Sequence, residues 1–380
     1  MSAPATTIEQ DIHTALSGVE DPEIRRPITD LGMVDDITVD GSHVALRILL
    51  TIAGCPLKDK LRTDINTAVR AVAGVESVSL EFGAMTDDQR KELQTRLRGG
   101  GGDEPVIPFS QPGSRTRVFA VASGKGGVGK SSVTVNLAAA LAAKGLSVGV
   151  VDADIYGHSV PRMLGAADAR PTPVEDMIMP PQSHGVKLIS IGMFTKGNAA
   201  VVWRGPMLHR ALQQFLADVY WGELDVLLLD LPPGTGDIAI SVAQLLPVAE
   251  LLVVTTPQAA AAEVAERAGA IAVQTHQRVA GVVENMSWLE TPDGNRMELF
   301  GSGGGEQVAQ ALSTRMGTAV PLLGQVPLDQ ALREAGDEGV PFVLRDKESA
   351  AARALNDIAE RLSVRTESLA GKPLGLSPKR

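Results

Sequence analysis

An apolar run, Val118 to Ala122, leads into Gly124-Lys125-Gly126-Gly127-Val128-Gly129-Lys130-Ser131 and then into an alanine-rich helical stretch that ends near Ala143. Strand, glycine loop, helix is the order that a phosphate-binding loop requires. The glycines at 124, 126, 127 and 129 let the backbone wrap closely around a polyphosphate, because positive φ costs glycine little. Exposed amides and the helix N-terminus both favour an anion there. Lys130 is then placed to reach the β- and γ-phosphates, and the Ser131 hydroxyl to ligate Mg²⁺. The candidate nucleotide contacts run from Gly124 through Val128 to Ser132. A glycine-rich turn between strand and helix is the plainer alternative.

Such a loop needs a parallel sheet around it. From Arg117 onward, strand-like runs alternate with helical ones, at 117–123, 147–152, 186–192, 225–230, 250–255, 279–284 and 321–326. That alternation predicts an α/β fold with a doubly wound, mostly parallel sheet. Ligands of such sheets sit outside the carboxyl ends of the strands. Asp152 and Asp154 leave the second run with side chains on the same face. One carboxylate there can hold a Mg²⁺ water shell and another can orient an attacking water, unless the two simply form a turn. Asp230 ends the hydrophobic run VLLLD and precedes LPPGTGD, which is the physical content of a Walker B motif. Gly234 and Gly236 let the following loop rearrange as a γ-phosphate leaves, and Asp237 belongs to the same stretch.

Ahead of this lies a smaller unit over 1–98, expected to be α+β. A helix is predicted from Thr7 to Ala15, with Thr7 as N-cap and Gln10 three residues on. Val34–Val39 and His43–Thr51 alternate around Asp40-Gly41, a hairpin signal. Helical periodicity over Leu57–Ala73, strand alternation over Val75–Phe82 and a closing helix over Asp87–Leu97 complete the unit. Residues 99–114, GGGGDEPVIPFSQPGS, predict a flexible linker, and the P-loop domain is expected over 115–364 with a flexible tail at 365–380. Lys347–Leu362 is expected to be a surface helix.

Composition excludes several roles. Only 3% of the 380 residues are aromatic and the net charge is -10, which argues against base-stacking platforms and a broad nucleic-acid footprint. No apolar stretch approaches the ~20 residues that span a bilayer. The first residues, MSAPATTIEQDIHT, carry neither a basic nor an apolar signal region. A single cysteine rules out a disulfide framework and fits a cytoplasmic protein.

The second lysine inside the loop, Lys125, makes KGGVGKS resemble the deviant Walker-A superfamily, which includes MinD, ParA, the nitrogenase iron protein and the Mrp family of iron–sulfur carriers. VVDADIYGHS, LLLDLPPGTGD and WRGPMLHRALQQFL are similar to Mrp proteins in particular, although His158 stands where they usually carry proline. DPEIRRPITDLGMV and TIAGCPLKDKL resemble the small domain of iron–sulfur assembly factors, whose acidic turn and cysteine correspond to Asp21, Pro22, Glu23 and Cys55. The resemblance implies a homodimeric ATPase that binds ATP and Mg²⁺ and serves iron–sulfur apoproteins; the acidic balance argues against a nucleic-acid partner, and the tail VRTESLAGKPLGLSPKR, without a basic amphipathic stripe, against a membrane one. It implies that Lys125 reaches the partner's nucleotide and that Lys125, Lys130 and Asp154 are catalytic, Asp154 activating water. Mg²⁺ goes to Ser131, Asp152 and Asp230, while Asn285 reads the adenine edge and the backbone at Pro327 lies against the base. Cys55 is the one candidate Fe–S ligand, between a strand end and a helix start, where a small buried hydrophobe is the alternative.

One departure stands out. Mrp proteins usually carry CxxC between NMS and FGxGG, whereas this window reads NMSWLETPDGNRMELFGSGGGE, without cysteine. Asp293-Gly294 predicts a plain hairpin turn there, and the downstream GSGGGE a second turn. Two Cys55 thiolates per dimer are half of what ordinary clusters use, so any cluster carried is expected to be labile. A MinD/ParA-like positioning switch and a nucleotide-gated scaffold without a cluster remain the alternatives.

Overall fold

The structure is a computed structural model that describes residues 5–364 apart from 23, 25, 52–57, 87, 91, 94–105, 112, 155–156, 175–176, 195–204, 235–236, 259–260 and 292. The small unit opens with helix Ala5–Leu16, followed by β1 (Val34–Asp40), β2 (His43–Leu50), helix Lys58–Arg70 and β3 (Ser77–Ala84). β1 and β2 pair antiparallel with Asp40 opposite His43, and Gly41 takes φ 62° at the turn. β3 returns parallel to β2, which demands a crossover. Helix Lys58–Arg70 supplies it, burying Leu61, Ile65 and Val69 at a four-residue spacing. The expected closing helix is seen in residues 88–90 and 92–93.

The remaining strands are β4 (Arg117–Ala122), β5 (Val148–Asp152), β6 (Thr172–Val174), β7 (Met177–Met179), β8 (Gln182–Ser183), β9 (Val186–Ser190), β10 (Val226–Asp230), β11 (Glu250–Thr255), β12 (Val279–Glu290), β13 (Arg296–Met297) and β14 (Leu322–Leu328). The large sheet runs β13-β12-β11-β4-β10-β5-β9-β8, with β14 beside β12. β14, β12, β11, β4, β10, β5 and β9 run parallel to one another, while β13 pairs antiparallel with β12 and β8 with β9. Strands buried on both faces read as continuous apolar runs, as β4 and β10 do. Phe119, Val121, Val226 and Leu228 face one core, where the P-loop helix Lys130–Ala143 packs. Val118, Ala120, Leu227 and Leu229 face the other, against Leu212, Phe215 and Val242.

Four details differ from expectation. Helix Ala350–Ser363 is a cover rather than a surface helix: Ala351, Leu355, Ile358 and Ala359 are fully buried, because their three- and four-residue spacing makes one apolar stripe. In GSGGGE, Gly303 is the N-cap of helix Gly304–Met316, so the loop starts a helix; glycine fits because Cβ atoms at 304 and 305 would collide with Pro257 and Glu284. Residues 108–110 of the expected linker form a 3₁₀ turn, and Phe109 is buried edge-on against Trp221, ring centroids 6.4 Å apart. A large aromatic gains too much by burial to stay in a free tether.

The β6–β7 hairpin is the fourth. Val174 and Met179 lie in the same core cluster as Ile12, Leu16, Leu46 and Ile65 of the small unit. On its other side Ile178 is held by the main body: its amide donates to Asp218 O (2.9 Å) and its carbonyl accepts from Tyr220 N (2.8 Å). The hairpin therefore pins the two units together.

Candidate functional site

The carboxyl ends of β4, β5 and β10 meet beside the P-loop. Parallel pairing sets Asp230 level with Asp152 on one side and Val121 on the other. Asp230 is fully buried and takes three donors. Lys130 Nζ lies 2.7 Å from Oδ1 in an ion pair exposed 6% and 0%, Thr134 Oγ1 donates to the same oxygen at 2.9 Å, and Ser131 Oγ donates to Oδ2 at 2.5 Å. A charged carboxylate survives such burial only when paired and hydrogen-bonded in this way.

Asp152 is also buried. Its Oδ1 accepts from Asp154 N at 3.2 Å, and Oδ2 from Ser190 Oγ at 3.1 Å. Burial, followed by the neighbouring Asp230 charge, pushes its carboxyl up to about 8. Asp154 is less enclosed and accepts from Gly157 N at 3.1 Å.

The loop itself is braced on three sides. Gly129 has φ 77°, and a Cβ there would lie 2.3 Å from Asn285 Nδ2, so only glycine fits. Asn285 Nδ2 donates to Val128 O at 2.9 Å, which commits that amide group to the P-loop. Arg267 donates to Gly124 O at 2.8 Å, and Gly234 N to Ser123 O at 2.9 Å. Lys125 Nζ donates to Gln258 Oε1 within the chain. Ser132 O accepts from Asn136 Nδ2 at 2.9 Å, and Pro327 is buried within β14.

Lys130, Ser131, Asp152 and Asp230 thus form one cluster, with Asp154 at its edge. Asn285 joins the loop rather than standing apart from it. Cys55 and Glu23 lie outside the described residues. Asp21 is buried and accepts from Ile24 N at 2.9 Å. In the expected hairpin, Leu289 pairs with Met297 and Glu290 with Arg296, and the Arg296 guanidinium lies 4.1 Å from the Trp288 ring centroid. Thr134, Ser190, Gln258 and Arg267 are absent from the sequence expectations. Thr134 alone had a local signal, one helical turn after Lys130.

Two carboxylates, a hydroxyl, a lysine and a glycine cradle make an oxygen-rich site beside an anion site. Mg²⁺ typically takes one or two carboxylates together with substrate phosphates, so the residues present fit it. Among the described residues no group of three or more His, Cys, Asp or Glu could hold a metal ion by itself.

The family model for NUBPL iron-transfer P-loop NTPases matches residues 114–363. The chain belongs to that family. This NTPase also matches the model for iron–sulfur cluster assembly proteins over residues 9–80. It is 65% identical over 371 residues to the iron–sulfur cluster carrier protein of Mycobacterium tuberculosis, covering 97% of each chain. It is 45% identical to that of Deinococcus radiodurans, covering 93% of this chain and 95% of that one. Among solved structures, the nucleotide-binding protein of Archaeoglobus fulgidus in complex with ADP aligns with TM-score 0.52 at 34% identity, over 67% of this chain and 92% of that one. The NTPase is accordingly an ATP-hydrolysing enzyme of the P-loop class. Among the described residues no helix is long and apolar enough to cross a membrane.

The Asp152 carboxyl has a testable consequence. A raised carboxyl means that the folded state holds more protons than the unfolded one. Its stabilising contribution is complete below the ordinary value of 3.8 and is lost as pH rises toward about 8. In EDTA, Asp152→Asn should therefore unfold at a higher temperature than the wild type at pH 8, with the gap closing as pH falls toward 4. Mg²⁺ with ATP should hand the advantage back to the wild type, since a neutral amide is a poorer ligand. Thermal unfolding across pH checks this; a gap independent of pH would contradict it.

Proposed function

We propose that the protein is a homodimeric cytoplasmic carrier that uses ATP binding and hydrolysis to assemble iron–sulfur clusters or pass them to apoproteins. The observation that carries this reading is the union, in one chain, of the buried Lys130–Asp230–Ser131 cluster with an assembly-type small unit. The named carriers match across both parts. The domain division proposed is 1–98, 99–114, 115–364 and 365–380.

In this reading the P-loop amides and the helix N-terminus bind the phosphates. Lys130 exchanges Asp230 for the β- and γ-phosphate oxygens, and Ser131, Asp152 and Asp230 serve the metal. Mg²⁺, when bound, neutralises charge that develops on the phosphates. Asp154 orients the attacking water. Lys125 leaves Gln258 and reaches the nucleotide of a second subunit, which makes ATP part of the dimer interface. Asn285 holds the loop through Val128 and presents its remaining edge toward the base, with Pro327 behind.

The cluster is cargo. Cys55 is the one thiolate each chain can offer, so a dimer supplies two of the four that ordinary clusters use, and an acceptor or a small thiol supplies the rest. Anaerobic loading with iron and sulfide, followed by transfer to an apo-ferredoxin, tests this. The wild type should take up iron weakly and release it readily. Cys55→Ser should take up none, with ATP turnover nearly unchanged. Stable, stoichiometric iron in Cys55→Ser would refute the ligand. No uptake by the wild type would put the nucleotide-gated scaffold ahead, a reading favoured by the cysteine-free turn at 291–295.

A further inference from the structure

Behind each of the two site carboxylates stands a hydroxyl that belongs to no phosphate-loop motif. Thr134 and Ser190 are both fully buried. We propose that these two hydroxyls are positioning residues which hold Asp230 and Asp152 in the orientations that serve Mg²⁺. The inference rests on the ATP-site reading and deepens it.

Thr134 sits one helical turn beyond Lys130, so its side chain shares the face that looks at β10. Its Oγ1 is 3.0 Å from Lys130 O and 2.9 Å from Asp230 Oδ1. A hydroxyl has one proton, and a carboxylate is the stronger acceptor. With Lys130 on the same oxygen, Oδ1 is tied and Oδ2 is turned to Ser131.

Ser190 acts from the opposite side. β5 and β9 pair with Asp152 level with Ser190, which puts the hydroxyl beside the carboxylate. Ser190 Oγ accepts from Gly192 N at 3.3 Å, and its proton is thereby directed to Asp152 Oδ2 at 3.1 Å.

The need for two such ties follows from the site. The terminal torsion of an aspartate is broad, so an untied carboxylate turns easily. Partners that orient metal ligands typically contribute ~10–100-fold in metal affinity.

The test uses Thr134→Val, which keeps the β-branched shape, Ser190→Ala, which removes one oxygen, and Thr134→Ser, which restores the hydroxyl. Mn²⁺ serves as the probe: the signal of free Mn²⁺ in electron paramagnetic resonance is followed in the presence of a non-hydrolysable ATP analogue. A fluorescent ATP analogue in EDTA reports nucleotide affinity without metal. Thr134→Val and Ser190→Ala should each bind Mn²⁺ about tenfold more weakly, with metal-free nucleotide affinity near wild type and a lowered melting temperature, since each leaves a buried carboxylate one donor short. Thr134→Ser should return to wild-type Mn²⁺ binding. Wild-type Mn²⁺ affinity in both folded variants would overturn the proposal, as would an equal loss of metal-free nucleotide binding. Absence of nucleotide-dependent Mn²⁺ binding in the wild type would instead overturn the ATP-site reading.

Discussion

Lys130→Ala should lower ATP turnover by about a hundredfold or more and weaken ATP binding. Lys130 is the only side-chain cation in contact with the buried Asp230 among the described residues, and in the proposed function the same ammonium turns to the phosphates. Removing it subtracts charge from the phosphates and leaves Asp230 buried without its counter-ion. Breaking a buried pair by truncating one partner costs roughly 3–5 kcal/mol, far more than an exposed pair is worth. The exposed Lys60–Asp64 pair is the internal contrast, and Lys60→Ala should be nearly silent in both assays. The variant must be assayed below its own melting temperature, with circular dichroism confirming the fold. Phosphate release at the wild-type rate from such folded protein would remove Lys130 from the mechanism.

The reach of the sequence differs sharply between the two halves of this site. The P-loop and Asp230 are local patterns, in which a glycine spacing or an apolar run ending in a carboxylate carries its own physics. The central strands β4, β5, β10 and β11 are legible for the same reason, since parallel strands buried on both faces read as continuous apolar runs. Ser190 was not legible. Its role depends on β9 lying next to β5 and in register, a pairing across 38 residues that no local pattern encodes. Asn285 shows the same limit: it could be named by resemblance, but its bond to Val128 spans 157 residues. Helix Ala350–Ser363 is legible in the sequence but its burial is not, because an alanine-rich stripe looks mild in sequence yet packs closely on a sheet.

The β6–β7 hairpin was missed altogether. Three-residue strands containing Pro173 give no usable alternation, and proline within a run argues against a strand. Its consequence is large, because a glycine-rich tether alone would let the small unit roam.

Val174→Asp should release the small unit from the ATPase part. Val174 is 1% exposed and Met179 is 3% exposed, both among the side chains of the small unit's core. An aspartate at 174 must either lose its charge or leave that core, at a cost of roughly 3–5 kcal/mol. The main body should bear little of this. Ile178 keeps its backbone bonds to Asp218 and Tyr220, and the nucleotide cluster lies on other strands. The variant should therefore melt in two transitions where the wild type melts in one, and its radius of gyration should increase. Its affinity for a fluorescent ATP analogue should stay near wild type. Met179→Asp should behave alike, since both residues enter the same cluster from paired strands. A single transition at the wild-type temperature would mean that the hairpin does not hold the units together. Loss of ATP binding in step with the released unit would mean that the hairpin supports the nucleotide site directly, and the small unit would then be part of the ATPase fold rather than a body docked on it.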